Sequence, residues 1–400
     1  MNRTTGKNLI SLILSVLILA ITSCNGDNEG TTPELSINAS TITEGNEGIT
    51  LLKVEITSSI LVEESLEITY NTSDGLAKAG KDYNEVNNGS VVIPSGNNKG
   101  TIEIDILTDE IMEFREDFSI NILNTGNAEI NTNKVTINIL DDDDETYEIQ
   151  KDADGYITPD NYPEMSLAWS DEFDGPAINT NDWTFELGDG CPNVCGWGNN
   201  ELQDYTDEEE NARIVDGKLV ITAIKGGADN YTSARMITKD KQEFEFGRID
   251  IRAKLPEGQG IWPAIWMLGA NIDNIGWPKC GEIDIMELIG NLPKTSHGTA
   301  HYDNNGHQYT GSSYVISNKY SEEFHVFSIF WDKDVIKWYV DYNKFFEVKS
   351  SALNGNYPFN NPFFFILNIA VGGNWPGDPD ETTVFPQEMH IDYVRVFQPE

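Results

Sequence analysis

Short runs in which every second residue is apolar recur along most of this 400-residue chain, and such runs fold as strands with one face turned to a core. From Glu34 to about Leu140 they are punctuated by clusters of Asn, Gly, Ser and Asp. Ile102, Ile104 and Ile106 share one face, as do Phe118, Ile120 and Ile122, and Val135, Ile137 and Ile139; Ser95-Gly96-Asn97-Asn98 is one of the turn clusters between them. This spacing predicts a β-sandwich of immunoglobulin-like size over 34–144. From Ser166 to Pro399 the composition turns aromatic, strands recur and helical periodicity is hard to find. A second, larger all-β sandwich with long loops is expected over 166–400. Between them, 145–165 carries Asp, Gly and two prolines with little periodicity and reads as a linker. The length suits two modest domains plus an export segment.

The first 23 residues have the build of a signal peptide: Arg3 and Lys7, an apolar run from Leu9 to Ala20, then small residues before Cys24. The run is too short to span a bilayer, and no later stretch approaches the required length without charges. Ile21-Thr22-Ser23-Cys24 resembles a bacterial lipobox, which implies a lipid anchor at Cys24, residues 24–33 as an acidic tether, and an exported lipoprotein of the outer membrane or cell surface. Lys and Arg total 26 against 66 Asp and Glu, a net charge of −40. Such a balance excludes nucleic acid and anionic lipid surfaces as partners and favours cations and a neutral substrate, or serves solubility alone. With Cys24 lipidated, Cys191, Cys195 and Cys280 remain, and one must stay unpaired. Cys191 with Cys195 would close a short loop; a zinc site lacks nearby histidines.

The first sandwich resembles a Calx-beta domain over nearly its whole length. The resemblance rests on Thr43-Glu44-Gly45, Ala79-Gly80-Lys81-Asp82-Tyr83, Ile93-Pro94-Ser95-Gly96, Asp109 followed by Glu113 and Glu116, and the closing run Asp141 to Asp144. It implies a structural calcium site lined by Glu44, Asp82, Asp109, Glu113, Asp141 and Asp142, since carboxylates are the hard oxygen ligands calcium prefers. The alternative is a solvated acidic rim.

In Gly281-Glu282-Ile283-Asp284-Ile285-Met286-Glu287, strict alternation puts Glu282 and Asp284 on one face and leaves Glu287 on the other. One extra residue near Ile285 or Met286, a β-bulge, returns Glu287 to the face of Glu282. The two glutamates are then roughly 13 Å apart at Cα, at about 3.3 Å per strand step. Their carboxyls reach a gap of about 5 Å, the spacing of a retaining glycosidase and not of an inverting one at about 6.5–9.5 Å. Three carboxyls on one face repel, so one keeps a proton near neutral pH, as a general acid must. Glu282, Asp284 and Glu287 in this pattern are similar to the signature of glycoside hydrolase family 16. That family implies a concanavalin-like β-jelly-roll sandwich with a sugar-binding cleft, Glu282 as nucleophile, Glu287 as acid/base and Asp284 as the residue that orients or shares a proton with the nucleophile.

Neighbouring segments extend the resemblance from about Leu167 to Gln398. In Ile261-Trp262-Pro263-Ala264-Ile265-Trp266-Met267-Leu268, Trp262 and Trp266 share a face on which sugar rings can stack, and Trp375 sits on a glycine-rich loop. Gly196 to Thr206, Thr232 to Arg235 and Phe246-Gly247-Arg248 are similar to laminarinase stretches, which implies sugar-hydroxyl contacts from Asn200, Glu201 and Arg235. His297 and His301 share a strand face but lack the helical setting of a metal pair, and the family implies that His301 hydrogen-bonds within the cleft. Ile391 to Val396 resembles the family's last strand, implying a structural calcium held by Asp392 with carbonyls near Glu172 and Gly217. The extra residue before Glu287 argues against lichenases. Together these features imply an endo-acting, monomeric β-1,3-glucanase without organic cofactor; mixed-linkage glucan as substrate, another polysaccharidase of the family, or a non-catalytic glucan-binding protein are the alternatives.

Overall fold

The computed structural model describes residues 32–144, 150–227 and 230–400. The signal segment and Cys24 lie outside the described residues. Among the described residues no helix is long and apolar enough to cross a membrane.

The first domain is two facing sheets. One orders the strands Lys99–Leu107, Ile49–Ser58, Glu34–Ile37 and Glu129–Ile130; the other orders Ser40–Thr43, Lys134–Leu140, Glu116–Asn124, Leu66–Asp74 and Gly89–Ile93. The three sets of alternating apolar residues read from the sequence all enter one core, where Tyr83 stacks on Phe118 with ring centroids 4.2 Å apart. This sandwich is thus closed by period-two alternation from both sheets.

The second domain packs an eight-stranded sheet on a ten-stranded one. Within the eight-stranded sheet, Phe363–Val371, Ile261–Gly269, Glu282–Glu287, Thr295–Asp303 and, at the edge, His307–Val315 lie side by side in that order. Ile261, Ile265, Met267, Ile283, Leu367 and Ile369 pack inward against Leu219, Ile221, Ile249, Ile251, Ile329 and Val394 from the ten-stranded sheet. The opposite face of the eight-stranded sheet carries the polar and aromatic residues of the candidate site.

The outer face of the ten-stranded sheet departs from the alternation rule. Arg248, Asp250 and Arg252 alternate with Ile249 and Ile251, which reads as a solvent face, yet they are 0%, 0% and 3% exposed. The stretch expected to be a linker covers them. Arg252 donates to the Tyr156 carbonyl at 2.7 Å, Tyr162 donates to Asp250, and the Thr158 amide donates to the Tyr393 hydroxyl at 2.7 Å. Met112 and Phe114 of the first domain join Tyr162, Met165, Phe330, Tyr339 and Phe397 in a small apolar cluster. Lys337 donates to the Asp143 carbonyl at 2.8 Å, and Arg115 pairs with Asp334 at 3.1 Å. The acidic end of the first domain is therefore seated on the back of the second. Cys191 and Cys195 form a disulfide, and Cys280 is free and buried.

Candidate active site

The bulge is where the alternation required it. Along Glu282–Glu287, the partners on one side are Leu268 for Glu282, Trp266 for Asp284 and Ala264 for Glu287; on the other they are His301, Thr299 and His297. Each partner set advances by two residues, so the three acids face one side, and Ile285 is the extra residue absorbed. The core enforces this: Ile283, Ile285 and Met286 are all buried, and two adjacent apolar side chains enter one core only if the pleat is broken between them. Gly281 opens the strand at φ 82°, where an added Cβ would lie 2.7 Å from Pro358 Cγ.

Around the acids the partners are indole and imidazole rather than cations. Trp262 donates to Glu287 at 3.1 Å and Trp277 to Glu282 at 2.7 Å. His301 Nε2 stands 3.0 Å from Asp284 Oδ2, off the line of a well-aligned hydrogen bond, and 3.8 Å from Glu282 Oε1. Trp338 donates to the Asp284 carbonyl at 2.9 Å and pins the strand. Burial, then the charge of Asp284, pushes Glu282 up to about 7, and burial pushes Asp284 up to about 8. Glu287 is raised well above the ordinary carboxylate range, by burial first and then by the charges of Asp284 and Glu282. All three carboxyls are therefore raised toward or above neutrality, so protons are held among them. Glu282, Asp284 and His301 converge closely enough to touch one ion. With protons held among these carboxyls, the chemistry of the set is proton sharing.

The residues expected to contact sugar lie near the same acids. Trp262 meets Trp375 edge-on at 5.5 Å, and Trp375, 41% exposed, meets His297 at 5.0 Å. Asn200 donates to Asn374 at 2.8 Å and Glu201 bridges to Gly372, which ties their loop to the one carrying Trp375. Glu201 accepts from Gln203 at 2.8 Å and from Asn199 and Tyr205, and burial raises its pKa. Trp266 is less free than expected: its indole donates to Asn368 at 2.8 Å and its ring carries the Arg235 guanidinium at 4.8 Å. Arg235 lies also against Trp197 at 4.4 Å and is bound by Glu186. Sequence reasoning missed Trp277, Trp197, Asn368 and His307. Trp277 sits between Gly276 and Pro278 five residues before Glu282, the same kind of loop signal that singled out Trp375.

At the acidic end of the first domain the expected calcium set divides in two. Glu44, Asp141 and Asp143 form one group and Asp82, Glu113 and Glu116 another. Asp109 and Asp142 belong to neither: Asp109 accepts from the Ile111 amide at 2.8 Å and Asp142 from the Gly45 amide at 2.9 Å. In the run Asp141–Asp144 alternation turns 141 and 143 inward and 142 and 144 outward. The inward groups fit a hard cation. Burial, with mutual repulsion, pushes Glu44 up to about 9, and Asp143 Oδ2 is buried without a hydrogen-bond partner. Burial also pushes Glu113 and Asp141 up to about 7 and Glu116 up to about 8. Asp392, expected to hold a metal, lies among cations in the structure. Arg252 binds its carboxylate at 2.5 Å, Lys218 lies 3.3 Å away, and Glu172 is paired with Arg395, so both expected acids already have cation partners.

A model of the family described as glycosyl hydrolases family 16 matches residues 199–395, and a Calx-beta domain model matches 27–143. A glucan endo-1,3-beta-glucosidase A1 of Niallia circulans is 39% identical over 259 residues, covering 58% of this chain but 38% of that protein. The chain thus spans well under half the length of that relative. A beta-glucanase of Rhodothermus marinus is 40% identical over 259 residues, covering 60% of this chain and 87% of that protein. The laminarinase catalytic domain from Thermotoga maritima superposes with TM-score 0.57 at 49% identity, covering 59% of this chain and 99% of that one.

Proposed function

Because this chain belongs to glycosyl hydrolase family 16, we propose that it is an endo-acting, retaining glucanase that cuts β-1,3-glucan of the laminarin type. The observation that carries the reading is the bulged strand: it aims Glu282 and Glu287 at one face, where burial and the neighbouring acids raise the pKa of Glu287. Glu282 attacks the anomeric carbon while Glu287 gives its proton to the departing glycosidic oxygen; that C–O bond breaks and a glycosyl ester forms on Glu282. Water then attacks the same carbon, its proton passes to Glu287, and the ester breaks with net retention. Asp284 shares charge with Glu282 and holds the ring of His301 beside it. The glucan stacks on Trp262 and Trp375, with Asn200, Glu201, Arg235 and His301 as polar fixing points.

A hard divalent cation, calcium by the oxygen-only donor set, is proposed for Glu44, Asp141 and Asp143, with a second position at Asp82, Glu113 and Glu116. Export and lipid attachment at Cys24 belong to the same proposal, and mass spectrometry of the mature N-terminus tests them. The enzymatic reading is tested by product analysis on laminarin, lichenan and agarose with wild type and Glu282→Ala. Laminarin oligosaccharides of several lengths from the wild type alone are expected. Cleavage of agarose only would move the substrate, and wild-type protein that binds laminarin without releasing sugar would leave a lectin.

A further inference from the structure

The hairpin joining Thr295–Asp303 to His307–Val315 brings one more imidazole beside the carboxyls, and the reaction above does not use it. His307 Nε2 is 2.7 Å from His301 Nδ1, with the two rings stacked at 5.0 Å and 14°. His307 also packs 4.5 Å from the Trp277 ring, whose N–H is the donor to Glu282. One exposed side chain thus backs both groups that reach toward Glu282 and Asp284.

Resting on the glycosidase reading, we propose that His307 is a positioning residue that fixes the tautomer of His301 and steadies Trp277, and so sets how Glu282 and Asp284 share charge. Two ring nitrogens at this distance hold one proton between them. If His307 donates to His301 Nδ1, the remaining proton of neutral His301 sits on Nε2, facing Asp284 and Glu282. Once Glu282 or Asp284 is ionised its negative charge favours this arrangement, because the opposite one aims a bare nitrogen lone pair at a carboxylate. The titratable groups facing the pair are Glu282, Asp284 and Glu287 from the acid-bearing strand, Tyr309 at 6.0 Å from His307, and Arg235, which acts on Glu282 from across the sheet. Burial lowers the pKa of His307, which favours the neutral ring that can hold one tautomer.

The full chain is tested as wild type, His307→Phe, which keeps a ring on Trp277 but no nitrogen, and His307→Gln, which restores a donor. With five histidines in the chain, ring 15N NMR resolves His301 directly. Wild type is expected to show His301 protonated at Nε2. His307→Phe is expected to lose that single tautomer, to shift the acid limb of kcat/KM on laminarin to higher pH and to lower turnover there roughly threefold to tenfold, the scale of one hydrogen bond; His307→Gln restores most of both. Protonation of wild-type His301 at Nδ1, or a His307→Phe pH profile that superimposes on the wild type, would overturn the inference. Absence of wild-type turnover would sink the glycosidase reading instead, and the NMR result would still decide the tautomer.

Discussion

Glu282, Asp284 and Glu287 come from six consecutive residues of one strand, whereas Glu44, Asp141 and Asp143 meet from two segments far apart in the chain. Both groups crowd carboxyls in partly buried surroundings, and in both burial raises their pKa values. Their partners differ. The first group is faced by indole N–H groups and an imidazole, which orient a carboxyl without neutralising it. The second has Lys337 3.8 Å from Asp141 and an unsatisfied buried oxygen on Asp143. Crowded acids are therefore not a site by themselves. Donors that leave protons exchangeable suit catalysis, and a geometry that calls for a fixed positive charge suits a structural ion.

Removing the acids should break the comparison most visibly. Glu282→Ala is expected to lower kcat on laminarin by on the order of 10⁴-fold, since no nucleophile remains. Glu287→Ala is expected to lose roughly 10² to 10⁴-fold, with much of the loss absent on an aryl glycoside whose leaving group needs no proton. Equal loss on both substrates would take Glu287 out of the acid role. Neither variant should change the response to calcium.

Calcium probes the other cluster. Carboxyls whose folded pKa is raised bind protons more tightly in the native state, so cation-free stability is full below about 4 and falls as pH rises through about 7 for Glu113 and Asp141 and about 9 for Glu44. Saturating calcium at about 100 times its Kd should add about 2.7 kcal/mol, roughly 10–20 °C in the unfolding midpoint of the first domain. Calorimetry at pH 8 should show this gain, and at pH 5, where the site holds protons, a much smaller one. Glu44→Gln should remove the part of the gain due to the position it shares with Asp141 and Asp143, leaving that of Asp82, Glu113 and Glu116, while laminarin turnover stays within about twofold. A calcium shift undiminished in that variant would take Glu44 out of the ion's ligands.

Two smaller changes sharpen the contrast. Trp262→Phe keeps the ring but deletes the 3.1 Å hydrogen bond to Glu287, and about tenfold in kcat/KM is expected, more in kcat than in KM. Lys337→Met removes the contact between the second domain and the acidic run, and should quicken proteolysis near residue 144 severalfold without altering turnover. Unchanged proteolysis would show that the apolar cluster around Phe114 and Phe330 holds the two domains without it.

Much of this was legible because it is local. Alternation placed both sandwiches, and the misfit of Glu287 within its strand demanded the bulge that the register contains. What escaped came from contacts between segments distant in sequence. Trp277 and His307 reach the acids from a loop and a hairpin whose path no period describes. Asp109 and Asp142 were expected as ligands, but loop amides capture them, while Asp143 and Glu116 point inward. Burial of Arg248 and Asp250 beneath Tyr162 reversed a face that alternation assigns to solvent.

By itself the sequence determined which residues form strands and which side of a strand each side chain takes, because backbone geometry sets side-chain direction within a few residues. Only the tertiary structure decided which faces are covered, which acids receive a cation and which an indole, and where Asp392 finds its charge partners, because those outcomes depend on groups brought together from far apart along the chain.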